Sequence, residues 1–308
     1  MNCLTKSFPF HGICKGSQHI ARGEAMFKKI LFPTDFSEKA RTELSCITSI
    51  PGIEEILLFH VIRRHPVPMA ESLAVQAAEN YLQKAKDYIS ALNPEIRVML
   101  EEETSMDIAG AILEKAEEAR VDLIIIRATM KDIMTGVLFS HVPSTVLCRI
   151  SAMNVMIMPE KLVEDLKGET YEKYCPMIFS RILCPTDLSE SSIKTTALTG
   201  TLPGAGEIIL LHVVEEREGG RDPALKTAER RLQEVCTTLA SLGVLARTIV
   251  VTGKPERVIP QIADLEDVSL IWMRSAAQGC LHDFFFGSMV HDVVKNSIRP
   301  VIIIRSYT

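Results

Sequence analysis

Short, unbroken apolar runs recur along the chain, separated by longer stretches with helical periodicity. Residues 30–32, 56–59, 123–126 and 155–158 form one set, and 182–184, 208–211, 270–273 and 301–304 form a second. Runs without polar alternation predict strands buried on both faces, as in a parallel sheet. Between them, Leu225, Ala228, Leu232, Val235, Leu239 and Leu242 step by three and four along one helical stripe, and Gly243 follows as a C-cap. In the first set Leu73, Ala77, Tyr81, Ala85, Tyr88 and Leu92 read as the matching stripe. Further strands are expected at 97–100 and 246–251, which makes five per set. Strand–helix alternation of this kind predicts an α/β fold with doubly wound sheets and right-handed crossovers.

The two sets are copies. Ile30-Leu31-Phe32-Pro33-Thr34-Asp35-Phe36-Ser37-Glu38 recurs as Ile182-Leu183-Cys184-Pro185-Thr186-Asp187-Leu188-Ser189-Glu190, at an offset of 187 − 35 = 152. Leu57-Leu58-Phe59-His60-Val61 recurs as Ile209-Leu210-Leu211-His212-Val213 at the same offset, 212 − 60 = 152. Two blocks at one offset are the mark of an internal repeat. Residues 160–180, polar and without strong periodicity, read as the connection, and the irregular, polar residues 1–25 read as a tail rather than a secretory signal.

Composition narrows the picture. The 308 residues suffice for two ordinary domains, and 47% hydrophobic with 24% charged residues is a globular balance. A net charge of −5 without a Lys/Arg run gives no general attraction to nucleic acid or anionic lipid. Eight cysteines without a Cys-x-x-Cys pair suit buried free thiols in a reducing cytosol rather than a disulfide framework or a zinc site. No apolar run reaches the roughly 18 residues that a membrane span needs.

In doubly wound sheets, ligands sit beyond the carboxyl ends of the strands, where strand order reverses. Asp35 and Asp187 fall there, two residues before Ser37 and Ser189, which read as helix N-caps. Each carboxylate can accept a hydrogen bond from a ligand amine, or it can serve only the helix amides. After the fourth strand of the second copy, Gly287-Ser288 opens a helix, and bare amides at a positive helix end suit an anion. The bland alternative there is an ordinary loop glycine.

These residues resemble a known family. Both Pro-Thr-Asp-x-Ser-Glu openings are similar to those of universal stress proteins, and His60-Val61 and His212-Val213 are similar to the family's second-strand ending. The loop after strand four stands where that family has Gly-x-x-Gly-x9-Gly-Ser. The resemblance covers nearly all of 26–159 and 180–308, so the chain reads as two such domains in tandem, with a tail (1–25) and a linker (160–179). It implies two five-stranded, adenine nucleotide α hydrolase-like sheets of strand order 3-2-1-4-5 in an adenine-nucleotide-binding stress-response or signalling protein, with AMP or ATP as ligand. In that family the aspartate after strand one and the backbone of the valine after strand two hold adenine and ribose, while the glycine loop cradles phosphates. Carried over, the site comprises Pro185, Asp187, Val213, Met273, Arg274, Gly287, Ser288 and Met289 in the second copy. In the first it comprises Pro33, Asp35, Val61, Ile126, Arg127, Ser140 and His141. The resemblance also implies that the two fifth strands pair, a dimer-like unit inside one chain beside any homodimer, while cysteine usage, charge, apolar run length and histidine spacing lead to the expectation of a cytoplasmic location, no metal and neither nucleic acid nor membrane as partner.

The departures are specific. The family's first two glycines are Arg274 and Ala277 in the second copy, while the first copy has Arg127, Met130 and Ser140, with His141 in place of serine. Each charge-assisted hydrogen bond lost costs roughly 1.5–3 kcal/mol, so losing two weakens phosphate binding on the order of 10²–10⁴-fold. Both arginines directly follow strand four. A guanidinium there either contacts phosphate, the reading preferred on position, or folds onto Asp35 or Asp187 and plugs the pocket. The rival to nucleotide binding is a nucleotide-free scaffold acting through protein contacts. An adenylyl-transfer or ATP-hydrolysing enzyme has only His282 and Asp283 to offer, and no Walker, G-x-G-x-x-G or nucleophile–base pattern is present. His141, His282 and His291 lack a metal-ligand partner at helical spacing, residues 284–286 and Trp272 read as packing, and 101–103 reads as a solvated strand end.

Overall fold

The apolar runs form the inner strands of a single sheet. The computed structural model describes residues 25–36, 38–128, 153–159, 177–215, 221–274 and 287–304. The first copy contributes β1 (Lys29–Pro33), α1 (Glu38–Ile47), β2 (Glu55–Arg63), α2 (Pro68–Leu92), β3 (Arg97–Ser105), α3 (Ile108–Glu118), β4 (Leu123–Ala128) and β5 (Val155–Pro159). The second contributes β6 (Arg181–Pro185), α4 (Glu190–Ala197), β7 (Glu207–Val214), α5 (Arg221–Ser241), β8 (Leu245–Thr252), α6 (Pro255–Leu265), β9 (Leu270–Arg274), α7 (Gly287–Asn296) and β10 (Val301–Ile304). The expected tail and linker lie outside the described residues, except for Ala25 and 177–179.

Strand order runs β3-β2-β1-β4-β5-β10-β9-β6-β7-β8. Each copy therefore has the expected order 3-2-1-4-5, with parallel pairing inside it. The two halves join through one antiparallel contact, with Val301 opposite Ile157, Ile302 opposite Met156 and Ile303 opposite Val155. These strands are wholly apolar because every side chain meets a helix layer or another strand. Pairing β5 with β10 also removes the two most hydrophobic edges from solvent, leaving as outer edges the Glu-bearing β3 and β8, which carries Arg247, Thr248 and Thr252 among apolar residues.

Alternate residues of the joined strands feed two core layers. Ile302, Ile304, Met156, Met158 and Trp272 face one layer, and Val301, Ile303, Val155, Ile157 and Met273 face the other. Both layers draw on both copies. The halves meet a second time at equivalent turns (203 − 51 = 152): a methyl added to Gly204 would lie 3.2 Å from Pro51 Cγ, and one added to Gly52 would lie 3.6 Å from Pro203 Cγ. Reciprocal contacts of this kind are those of a two-fold interface, here internal to one chain.

One helix departs from expectation. In α5 the predicted stripe is right: Ala228, Leu232, Val235 and Leu239 are buried, and Gly243 closes the helix at φ +76°. In α2, however, Leu73, Tyr81 and Leu92 are exposed, and the buried line is Ala78, Leu82 and Ile89 with Ala85 and Tyr88 partly covered. The expected and the buried stripes run side by side on this helix, and Ala85 and Tyr88 of the expected one lie on the edge turned to the core. Cys184 and Cys236 are buried free thiols as expected, whereas Cys46 is disulfide-bonded. Among the described residues no helix is long and apolar enough to cross a membrane.

Candidate functional site

The Pro-Thr-Asp-x-Ser segment makes the same turn in both copies. At the end of β6, Thr186 Oγ1 accepts the backbone N–H of Leu188 at 3.0 Å, and at the end of β1 Thr34 Oγ1 accepts that of Phe36 at 3.1 Å. These bonds hold Leu188 and Phe36 in the left-handed region, φ +62° and +61°, where a bulky side chain costs of order 1–3 kcal/mol. The turn is braced from the next strand. His212 Nδ1 donates to the Thr186 carbonyl at 2.8 Å, and His60 Nδ1 donates to that of Thr34 at 2.7 Å. A carbonyl only accepts, so the proton sits on Nδ1 in both. The second-strand histidine thus fixes the aspartate loop, a role the repeated His-Val dipeptide signalled without defining.

Asp187 sits exposed at the carboxyl end of β6, its Oδ1 accepting Ser189 N–H at 2.9 Å. Ser189 in turn caps α4, accepting Ser192 N–H at 3.2 Å. Burial would raise the Asp187 carboxyl, but the hydrogen bonds from Ser189, the charge of Arg274 and a bond from Ser192 together hold it below the ordinary value of 3.8. The helix-capping reading of the aspartate is therefore part of its chemistry, and Arg274 lies near enough to act on it.

In the first copy the strand-four arginine takes the position that ranked second on sequence grounds. Arg127 Nη2 donates to Asp35 Oδ2 at 2.6 Å, across 92 residues, and Nη1 lies 3.7 Å from Glu43 Oε1. Glu43, on α1, is only 1% exposed. Sequence reading missed it, although Ala40, Glu43, Leu44 and Ile47 share one helical stripe, so a carboxylate on the core side was visible in the spacing. Beside this network Phe36 lies 4.2 Å from the His60 ring and stacks on Tyr81 at 5.0 Å (ring centroids).

The remaining expected residues divide clearly. Ile126 and Met273, 2% exposed each, bury their side chains in the core beside strand ends, while Val61 and Val213 are partly buried against it. Pro33 and Pro185 close their strands. Gly287 and Ser288 lie in the first turn of α7 rather than before it, and Met289 is 41% exposed. Ser140, His141, Ala277, His282 and Asp283 lie outside the described residues. Trp272 packs as expected, donating from Nε1 to the Thr195 carbonyl at 3.0 Å. Glu101 is not simply solvated: Lys115 Nζ meets it at 2.7 Å. Among the described residues no group of three His, Cys, Asp or Glu could hold a metal.

Comparison with known proteins agrees with this architecture. A family model described as the universal stress protein family matches residues 26–158 and again 179–305. The chain is 29% identical to Universal stress protein MJ0577 of Methanocaldococcus jannaschii, over 42% of this chain and 96% of that protein. A crystal structure of a universal stress protein from Archaeoglobus fulgidus superposes with a TM-score of 0.67 at 18% identity, covering 92% of this chain and 98% of that one. Protein PA1789 of Pseudomonas aeruginosa, of unknown function, superposes at 0.57 and 13% identity, covering 91% and 93% respectively. At such identities these two likenesses concern the fold.

Proposed function

The chain belongs to the universal stress protein family, and on that premise we propose that it is an adenine-nucleotide-binding stress-response or signalling protein whose working site is the second copy. On this reading residues 26–159 and 180–308 are the two binding-type units, 160–179 links them, and the protein acts in the cytoplasm on AMP or ATP. The observation that supports it most is the exposed Asp187 carboxylate. Its turn is rigid before any ligand arrives, it is kept ionised, and it stands at the strand-order reversal between β6 and β9. Pro185, Val213, Met273 and Arg274 line the same strand ends, and Gly287, Ser288 and Met289 open α7, whose first amides suit an anion. In the first copy the corresponding set is Pro33, Asp35, Val61, Ile126, Arg127, Ser140 and His141.

The test is thermal. A ligand at a hundredfold excess over Kd stabilises by about 2.7 kcal/mol, roughly 4 °C in Tm for a chain of this size that melts as one unit. AMP or ATP should produce such a shift in the wild type and none in Asp187→Ala. An equal shift in both would reduce Asp187 to a helix cap. A second reading, a nucleotide-free scaffold, draws support from Asp35 already being occupied by Arg127. Mass spectrometry of small molecules released by acid from the purified protein separates the two.

A further inference from the structure

Both copies carry an arginine in the last residues of strand four, within the strand rather than after it, but they differ one helix away. Glu43 of α1 corresponds to Thr195 of α4 (195 − 43 = 152). Glu43 is a buried carboxylate with the Arg127 guanidinium held against it at 3.7 Å, while the same guanidinium bonds Asp35 at 2.6 Å. Thr195 is also buried, but neutral, and its hydroxyl donates to the Ser191 carbonyl at 3.0 Å. We propose that Glu43 is the residue that closes the first crevice: it pins Arg127 across Asp35, so the first copy excludes adenine nucleotide, and Thr195 leaves the second copy able to accept it.

The physical argument is one of charge. A buried carboxylate is tolerated only with compensating charge and hydrogen bonds. Drawing Arg127 away toward a phosphate removes positive charge from beside Glu43 and uncovers Asp35 at once. Breaking a buried pair of this kind weakens any competing interaction roughly 10²–10³-fold. The Arg127 side chain is 16% exposed, so solvent does little to replace what Glu43 would lose. The aromatic slab of Phe36, His60 and Tyr81 fills the neighbouring space, whereas the second copy has Leu188 in place of Phe36. In the second copy Arg274 also acts on Asp187, but Thr195 stands in the place of Glu43, so no carboxylate at that position adds to its hold.

This inference rests on the proposed reading of the strand-end crevice as a nucleotide site, and titration calorimetry of the full chain with AMP separates the two. The wild type should bind one AMP per chain, lost in Asp187→Ala. Glu43→Thr should bind two, the second lost on adding Asp35→Ala, and the more conservative Glu43→Gln should behave alike if the threonine variant folds poorly. Conversely, Thr195→Glu should weaken the second-copy site about 10²-fold while Thr195→Gln keeps it. Two equivalents already bound by the wild type, or no gain in folded Glu43→Thr and Glu43→Gln, overturns the role of Glu43. A wild type that binds none alongside a Glu43→Thr that binds one upholds that role and sinks the second copy as the working site.

Discussion

Replacing Ile302 by alanine should destabilise both copies together. Ile302 is 0% exposed and lies between two register partners, Met156 of the first copy on β5 and Trp272 of the second on β9. Its side chain joins a core layer that also holds Phe32 and Leu58 of the first copy and Cys184 and Leu210 of the second. Truncating a fully buried isoleucine costs about 2–5 kcal/mol, and the upper half of that range applies where neighbours on both sides are fixed in a sheet and little can collapse into the space. For a chain of this length the upper half of that range is roughly 5–8 °C in Tm.

The size of the loss matters less than how it is shared. If the second copy unfolded alone it would leave β5, whose residues Val155, Met156 and Ile157 are all at most 1% exposed, as a bare apolar edge. That penalty couples the halves. Urea unfolding followed by the single tryptophan, which lies in the second copy, and by far-UV circular dichroism, which reads both, should give coincident curves in wild type and variant, displaced by the same amount. Trp272 neighbours the mutation, so its signal alone does not decide; hydrogen exchange at the β1 and β2 amides does. A dichroism curve with two steps, the first-copy amides keeping wild-type protection through the earlier one, would refute the coupling.

Other consequences are simpler to check. Glu55, buried between Lys29 at 2.8 Å and Arg97, has burial raising its carboxyl and both cations pulling it further down, so the net value lies below 4.5. Its contribution is present above the unfolded value near 4.5 and fades as pH falls through the lower folded value; Glu55→Gln should cost about 1.5–3 kcal/mol at pH 7, with the gap narrowing in acid, and equal urea midpoints at pH 7 would contradict this. Gly204→Ala meets both a positive φ of +75° and Pro51 at 3.2 Å, whereas Gly243→Ala at φ +76° meets nothing within 4 Å, so the first should cost more than the roughly 1–2 kcal/mol of the second. Equal losses in melting temperature would mean that the turn-to-turn contact yields. Trp272→Phe removes the indole hydrogen bond to the Thr195 carbonyl and part of a fully buried ring, and should cost about 1–3 kcal/mol by chemical denaturation followed by circular dichroism.

The strands and their order were legible because both signals are one-dimensional. An apolar run without alternation has few homes other than a covered parallel strand, and a repeat at a single offset carries one copy's assignment to the other. Helix facing was less legible. On α5 one stripe dominates, while on α2 Leu73, Tyr81 and Leu92 form a stripe as apolar as Ala78, Leu82 and Ile89, and only the tertiary fold chooses between them. Aligning the two helices by their buried alanines, Ala78 with Ala228, would have chosen correctly, because the copies differ by two residues in the segment before them (228 − 78 = 150, against 152 upstream).

The site shows a different limit. The glycines missing after strand four are the conspicuous departure in the sequence, since loop chemistry decides whether phosphate can approach a backbone. By that measure the two arginines were equivalent, and position alone favoured a ligand-facing role for both. What separates them on this proposal is Glu43, a single carboxylate 84 residues before Arg127 on a helix whose core-facing positions include Ala40, Leu44, Cys46 and Ile47. An arginine has a long reach and five donors, so its orientation is set by whichever acceptors the fold assembles around it, and these come from strand one and helix one rather than from its own loop. Duplication gave the two copies one guanidinium in one place. On the proposal above, a neutral residue where the first copy has a buried acid is what leaves the second guanidinium able to yield to a ligand, with no change in the arginine itself.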